Sequence, residues 1–337
     1  MDAALLDLLA DPADGSTLTA DGEMLRGGSG TEYPVVDGIP RFAGTDDAGQ
    51  AQTEASFGFK WTKRDSFGSE AMNRELHEWL LERYGFESGE AMRDHFASKG
   101  RVLDAGCGAG VAASAWLDDA WSGEFVGLDI SRAIDVARER LGGFPGTNFV
   151  QGDVARPPFR PGSFDVVFSE GVLHHTSSTK ASFDALVPLL ADGGELLIYV
   201  YRRKAPIREF TDDYVRERLR DASPEEAWEA LRPLTRLGQA LAELEVEVDV
   251  PDDVPLLEIP AGRYDVQRLV YWHVAKLFWN PNMTFEENNH VNFDWYAPRY
   301  AWRHTEDEVR TWYAAAGLEV TRFDVHEAGF TARGVRR

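Results

Sequence analysis

The chain has 337 residues, 43% of them hydrophobic, with a formal net charge of −22 and a single cysteine. That length is a soft prior for about two domains, and one thiol excludes internal disulfides and multi-cysteine metal sites. So acidic a surface repels phosphate backbones and argues against long nucleic acid as a partner, and no apolar run approaches the ~18–20 residues of a membrane span.

The opening MDAALLDLLA starts with an acid and has neither a basic n-region nor a small-residue cleavage site, so no signal peptide is read there and a cytoplasmic protein is expected. Turn signals at Asp14-Gly15, Asp21-Gly22, Gly27 to Gly30 and Asp37-Gly38 separate short β-like runs, which predicts a small β-rich unit over 1–45. Its segments LLDLLADP and YPVVDGIPRF resemble the zinc-ribbon cap that precedes many bacterial methyltransferases. In that family two C-x-x-C pairs hold zinc; here the matching positions are Asp11 and Asp14, then Gly27 and Gly30. Structural zinc takes thiolate or imidazole, so the resemblance implies a degenerate, metal-free cap held by packing of Tyr33, Val35, Val36, Ile39 and Phe42.

Residues 46–56 read as a linker. An aromatic cluster follows (Phe57, Phe59, Trp61, Phe67), which either lids a ligand or forms a packing seam, and then an amphipathic helix. From about 100 the sequence alternates: strands are predicted at 101–105, 124–128, 147–150, 164–168 and 195–201, helices at 111–118, 131–141 and 178–190. Such alternation signals an open parallel sheet covered on both faces. It pauses near 202 and resumes at 304 with the capping box Thr305 and Glu308, followed by the strands LEVTRFDV and GFTARGV. Residues 205–303 read as a mainly helical insertion between the fifth and sixth strands; Ser223, Pro224 and Glu226 start one helix, and DVQRLVYWHVAKLFW forms another. The expected units are a cap at 1–45, a core at 46–204, the insertion at 205–303 and the end of the core at 304–337.

The stretch RVLDAGCGAG, residues 101–110, ends a strand in a turn with alternate glycines. At the carboxyl edge of a parallel sheet such a turn meets ligands, and the backbone N–H groups opening the next helix favour negative charge. It departs from G-x-G-x-x-G because Val111 stands at the third glycine position and Gly110 falls one residue early. The spacing D-x-G-x-G-x-G resembles motif I of class I S-adenosylmethionine-dependent methyltransferases, and EFVGLDIS, NFVQGDVARPPF and FDVVFSEGVLHHTSS…LADGGELLIYV fall in register with it over about 100–201. The resemblance implies a Rossmann-like, seven-stranded α/β sheet with S-adenosylmethionine as cofactor. Gly106, Cys107 and Gly108 would then form the loop against it, with Asp104 near its amino end and Asp129 and Ile130 at its ribose. Asp153 and Val154 would meet the adenine, and Glu170 would stand near the methyl group. A carboxylate at the end of the second strand can accept from both ribose hydroxyls.

Methyl transfer from a sulfonium is an in-line displacement, which asks for positioning and for removal of an acceptor proton. The loop Ser169–His175 lacks the N/D-P-P-Y/F of amide- or adenine-amino-methylating enzymes. The only cysteine lies in the glycine loop, which argues against a cytosine C5 enzyme. His174, His175 and Glu170 are the candidates for proton handling. Strand alternation through HVNFDWY would turn His290, Asn292, Asp294 and Tyr296 to one face as an acceptor-pocket lining, with Trp61 from the aromatic cluster. No metal-ligand set is read. The expected function is methylation of a small metabolite on oxygen, nitrogen or sulfur. An RNA or protein methyltransferase, a non-catalytic S-adenosylmethionine-binding module, and a homodimer all stay open.

Overall fold

The computed structural model describes residues 2–28, 30–42, 44 and 47–337; the expected cap–core boundary at 45/46 lies outside the described residues. The chain begins with α1 (Ala3–Leu8) and four short strands, β1 (Thr19–Asp21), β2 (Met24–Arg26), β3 (Glu32–Val36) and β4 (Ile39–Pro40), joined in an antiparallel sheet. This small unit has no core of its own. Leu5, Leu8, Leu9, Leu18, Leu25 and Val35 are buried in one cluster with Leu128 and Val150 of the large sheet and Phe159 of the connection that follows Val150. Backbone bonds fasten it there: Ala10 N donates to Pro158 O at 3.0 Å and Phe42 N to Gln151 O at 2.7 Å. The loops carrying Asp11 and Gly27 meet. A Cβ on Gly27 would fall 1.7 Å from Asp11 Oδ2, while Oδ1 accepts from the Tyr33 hydroxyl at 2.6 Å.

Three helices follow, α2 (Ala48–Thr62), α3 (Glu70–Tyr84) and α4 (Gly89–Ala97), before the alternating core: β5 (Arg101–Ala105), β6 (Glu124–Asp129), α5 (Ala133–Leu141), β7 (Thr147–Gln151), β8 (Phe164–Glu170), α6 (Thr179–Leu186) and β9 (Leu190–Tyr201). The insertion holds α7 (Pro206–Leu219), α8 (Pro224–Ala242), the hairpin β10 (Glu247–Val250) and β11 (Gly262–Asp265), α9 (Val266–His273) and α10 (Phe285–Tyr296). The chain then returns through α11 (Glu306–Ala315), β12 (Leu318–Val325) and β13 (Gly329–Arg336). The seven-stranded sheet has the order β12-β13-β9-β8-β5-β6-β7, with β13 antiparallel to both its neighbours and the other pairs parallel. Its central strands are continuously apolar because helices cover both faces: Val102, Leu103, Val166, Val167, Leu196 and Ile198 have no exposed surface.

The α/β sheet and the insertion between its fifth and sixth strands follow the expectation; several elements differ. The helix expected at 111–118 is one turn, Ala113–Ala115, because Trp116 leaves helical geometry to stack on Phe96 at 4.2 Å. The helix at 178–190 stops at Leu186, before Pro188, and β9 starts five residues early at Leu190. Most consequentially, the strand read through 290–296 is the last half of α10. The capping box Thr284 and Glu287 opens that helix, each closing on the other's backbone N–H, and overrides the β-like alternation.

Candidate active site

A cavity of about 540 Å³ runs along the carboxyl edge of the sheet into the insertion. One end is built from residues that follow successive strands: Gly106 after β5, Asp129 and Ile130 at β6, Asp153 and Val154 after β7, Glu170 at β8. The other end is aromatic and charged, with Tyr199, Tyr201, Tyr271, Trp272, Trp295, Lys204, Arg208, Lys276 and Asp294 on its wall. Helix α2 closes over both. Gln50, Thr53, Phe57, Lys60 and Trp61 line the cavity, a three- and four-residue spacing that puts them on one helical face. Phe59, on the opposite face, packs against Trp228 and Phe293 instead. The aromatic cluster is thus divided between lid and seam.

The glycine loop answers to protein packing as well as to a ligand. Gly106, Gly108 and Gly110 have φ of +90°, +54° and +72°, left-handed values that disfavour side chains. A Cβ would lie 2.3 Å from Val172 Cγ1 at Gly106, 2.8 Å from Trp61 Nε1 at Gly108 and 2.6 Å from Leu141 Cδ1 at Gly110. Of the three only Gly106 reaches the cavity wall; Trp61 covers Gly108. Cys107 is buried off the wall, and burial pushes its thiol well up, which removes it as a nucleophile.

Asp129 is oriented by three donors: Gly108 N at 2.9 Å, Ser131 N at 2.8 Å and Ser131 Oγ at 2.7 Å. Burial raises its carboxyl against these bonds. Asp153 accepts from Ala155 N at 2.8 Å and is likewise raised by burial. Asp104 lies behind the wall with Oδ2 buried and unpartnered; burial pushes its carboxyl well up, and the charges of Asp129 and Glu170 add to the shift. Both oxygens of Glu170 are engaged, one by the Arg83 guanidinium and one by the Tyr84 hydroxyl at 2.6 Å, so it offers no free base.

The two histidines separate. His174 is wholly buried off the cavity wall, stacked on Tyr201 at 3.6 Å, with neither ring nitrogen bonded; burial holds it well below the usual imidazole range. His175 lines the cavity, and its Nδ1 lies 2.6 Å from Tyr300 O. A carbonyl only accepts, so Nδ1 carries the proton and the Nε2 lone pair, unpartnered, is left as acceptor. Burial lowers this imidazole to about 4, Asp294 opposing.

Because 290–296 is helical, the expected acceptor face splits. His290 and Asp294, four residues apart, reach the cavity; Asn292 and Tyr296 do not. Asn292 Oδ1 accepts from Phe278 N at 2.9 Å, and Tyr296 donates to Asp212 at 2.7 Å. His290 Nδ1 meets Ser66 Oγ at 3.1 Å beneath Trp61. Asp294 pairs with buried Lys60 and accepts from Tyr201 at 2.8 Å. Burial alone would raise its carboxyl, but Lys60, His175 and Lys276 hold it well below the usual range. Lys60, Arg83, Lys204, Arg208 and Lys276 had no sequence motif; the one usable signal was the helical spacing of Lys60 from Phe57.

Residues 103–198 match the methyltransferase domain family. Over 126 residues the chain is 33% identical to phthiotriol/phenolphthiotriol dimycocerosates methyltransferase 1 of Mycobacterium ulcerans, covering 37% of this chain and 46% of that one. Over 122 residues it is 32% identical to phosphoethanolamine N-methyltransferase 1 of Arabidopsis thaliana, covering 35% and 24%. The matched segment thus spans less than half the length of either relative. Among solved structures it is similar to 1,6-didemethyltoxoflavin-N1-methyltransferase of Burkholderia thailandensis, at 14% identity, 94% and 97% coverage and a TM-score of 0.45. Residues 103–198 thus carry a methyltransferase domain, set within a seven-stranded α/β sheet.

Proposed function

We propose that the chain transfers a methyl group from S-adenosylmethionine to an oxygen, nitrogen or sulfur atom of a small molecule held against the helical insertion. What supports this reading is one continuous cavity joining the strand-end carboxylates to the aromatic chamber. The donor fits the residues present: Asp129 offers a carboxylate to ribose hydroxyls and Asp153 with Val154 an adenine seat, while Asp104 stands behind the wall. S-adenosylmethionine supplies an electrophilic methyl group on a sulfonium. The chain's own part is to exclude water by closing α2 over the site, to orient the acceptor against the packed rings of Tyr201 and Trp295, and to take its proton at His175 Nε2. A cavity of about 540 Å³ favours a small acceptor over a macromolecule. We read the N-terminal unit as a ribbon without its metal, in which Asp11, at one of the former ligand positions, instead accepts from the Tyr33 hydroxyl.

The test is a screen of metabolite extracts with the full chain and S-adenosylmethionine, reading the mass gain of one methyl group. A methylated product that disappears in His175→Gln supports the reading. Tight donor binding with no methylated product from any extract overturns it.

A further inference from the structure

Four cations surround the Trp295 ring, Arg216 at 5.0 Å from behind the wall and three from the far end of the cavity. Lys276 Nζ lies 4.8 Å from the Trp295 ring centroid, the Arg208 guanidinium carbon 5.3 Å and Lys204 Nζ 5.7 Å. All three residues line the cavity. Of these three only Arg208 has a carboxylate partner, Asp212 at 2.7 Å, and that pair is fully buried. Lys204 Nζ is capped by the carbonyls of Glu327 and Ala328, dipoles that leave its charge uncancelled. Lys276 is 7% exposed, and among the described residues its ammonium has neither a hydrogen-bond acceptor nor an ion-pair partner. Its backbone N–H, by contrast, is firmly placed by Tyr296 Oη at 2.9 Å, so the residue is held where it is.

A buried, unpaired ammonium is costly, and neighbouring like charges add to the cost. Burial lowers Lys276 to about 7, with Arg208 and Arg216 adding to the effect and Asp294 and Asp212 opposing it. Burial likewise lowers Lys204, helped by Arg208, Lys276 and Arg202. In a chain of net charge −22, carboxylates abound to neutralise such a cluster, yet none faces Lys276 at ion-pair distance. An incoming anion would be drawn to it.

We infer that Lys204, Arg208 and Lys276 form an anion-binding subsite around Trp295, and that the methyl acceptor carries a carboxylate or phosphate bound there. This rests on the proposed transferase function. Trp272 and Trp295 flank the subsite as apolar walls, so the body joining the anionic group to the methylated atom is apolar or aromatic.

Inorganic phosphate and benzoate, titrated separately into the full chain and read by tryptophan fluorescence and calorimetry, test the subsite and tell its two ligand classes apart. Preference for phosphate assigns a phosphorylated acceptor, and preference for benzoate a carboxylated one. Lys276→Met is expected to weaken the preferred anion at least tenfold and Lys276→Arg to restore it, with S-adenosylmethionine affinity unchanged in both. Lys204→Met, nearer the surface, gives the same readout if Lys276→Met does not fold. Failure of the wild-type chain to bind either anion, or equal binding by the methionine variants, overturns the inference. Anion binding in a chain that does not bind S-adenosylmethionine supports the subsite and overturns the transferase reading instead.

Discussion

Replacing Asp129 perturbs the proposed cofactor site at its most specific contact. Its carboxylate faces the cavity with three protein donors already fixing its plane, from Gly108 and Ser131 at 2.7 to 2.9 Å. Each ribose hydroxyl donating to that ionised group contributes about 1.5–3 kcal/mol. Loss of both therefore costs ~3–6 kcal/mol, and at about 1.4 kcal/mol per decade Asp129→Ala should bind S-adenosylmethionine roughly 10²- to 10⁴-fold more weakly. The same substitution strands the N–H of Gly108 and of Ser131, buried donors that together cost about 2 kcal/mol or more of folding stability. Asp129→Asn keeps one acceptor oxygen and the side-chain shape, so it should remain folded and lose about 10- to 100-fold. Titration calorimetry gives the affinities and thermal unfolding gives the stabilities. A folded Asp129→Asn and a folded Asp129→Ala that both bind the donor as tightly as wild type would refute the ribose assignment and the cavity end built on it.

His175→Gln should lower kcat roughly 10²-fold with little change in donor affinity. Because burial depresses its imidazole to about 4, the wild-type rate should hold as pH falls through 6 and drop only near 4–5; an acidic limb near 6.5 would point to another base. Asp294→Asn leaves the Lys60 ammonium buried without its anion, an expected loss of about 3 kcal/mol that Lys60→Met in the same chain largely recovers; additive losses in thermal unfolding would contradict this. Glu195 accepts from Lys99 at 2.7 Å and Arg333 at 3.1 Å. Burial would raise its carboxyl, but these bonds and His95 hold it low. A depressed carboxylate stabilises the fold above its unfolded value of 4.5 and loses that contribution as pH falls. Glu195→Gln should therefore cost about 2 kcal/mol at neutral pH, the gap from wild type narrowing progressively below about pH 4; a constant gap in denaturant titrations across pH would refute the linkage.

The sheet was legible because its strands are coded locally: apolar runs such as ELLIYVY end at glycine or acidic turns, and burial on both faces leaves no alternation to misread. The residues expected at the donor meet at one end of the cavity for the same reason, since Gly106 and Asp153 come just after strands and Asp129 ends one. The acceptor end was not. HVNFDWY alternates like a strand, yet Thr284 and Glu287 cap a helix six residues upstream of His290, and reading that box first would have put His290 and Asp294 together and excluded Asn292 and Tyr296. Lys276 falls within DVQRLVYWHVAKLFW, whose apolar spacing reads as one helix, but α9 stops at His273 and only tertiary packing brings Lys276 to Trp295. The glycines were read toward a ligand, whereas their missing Cβ atoms also make room for Val172, Trp61 and Leu141, partners dispersed over more than 110 residues of sequence.

The two ends of the cavity are charged oppositely, and each strains against itself. Asp104 is raised by burial and by the negative charges of Asp129 and Glu170; Lys204 is lowered by burial and by Arg208 and Lys276. Between them the Lys60–Asp294 pair is internally neutral, so it separates the clusters without cancelling either. Uncompensated like charges in a low-dielectric interior cost folding energy, and a neutral ligand relieves neither cluster. A cationic donor at the acidic end and an anionic acceptor at the basic end relieve both. In the proposed transfer the donor's positive charge passes to the methylated acceptor and leaves it with the proton taken at His175, so charge moves within the cavity and none is lost. The same arrangement accounts for the placement of His175 beside the neutral pair, where its imidazole stays uncharged and able to accept a proton.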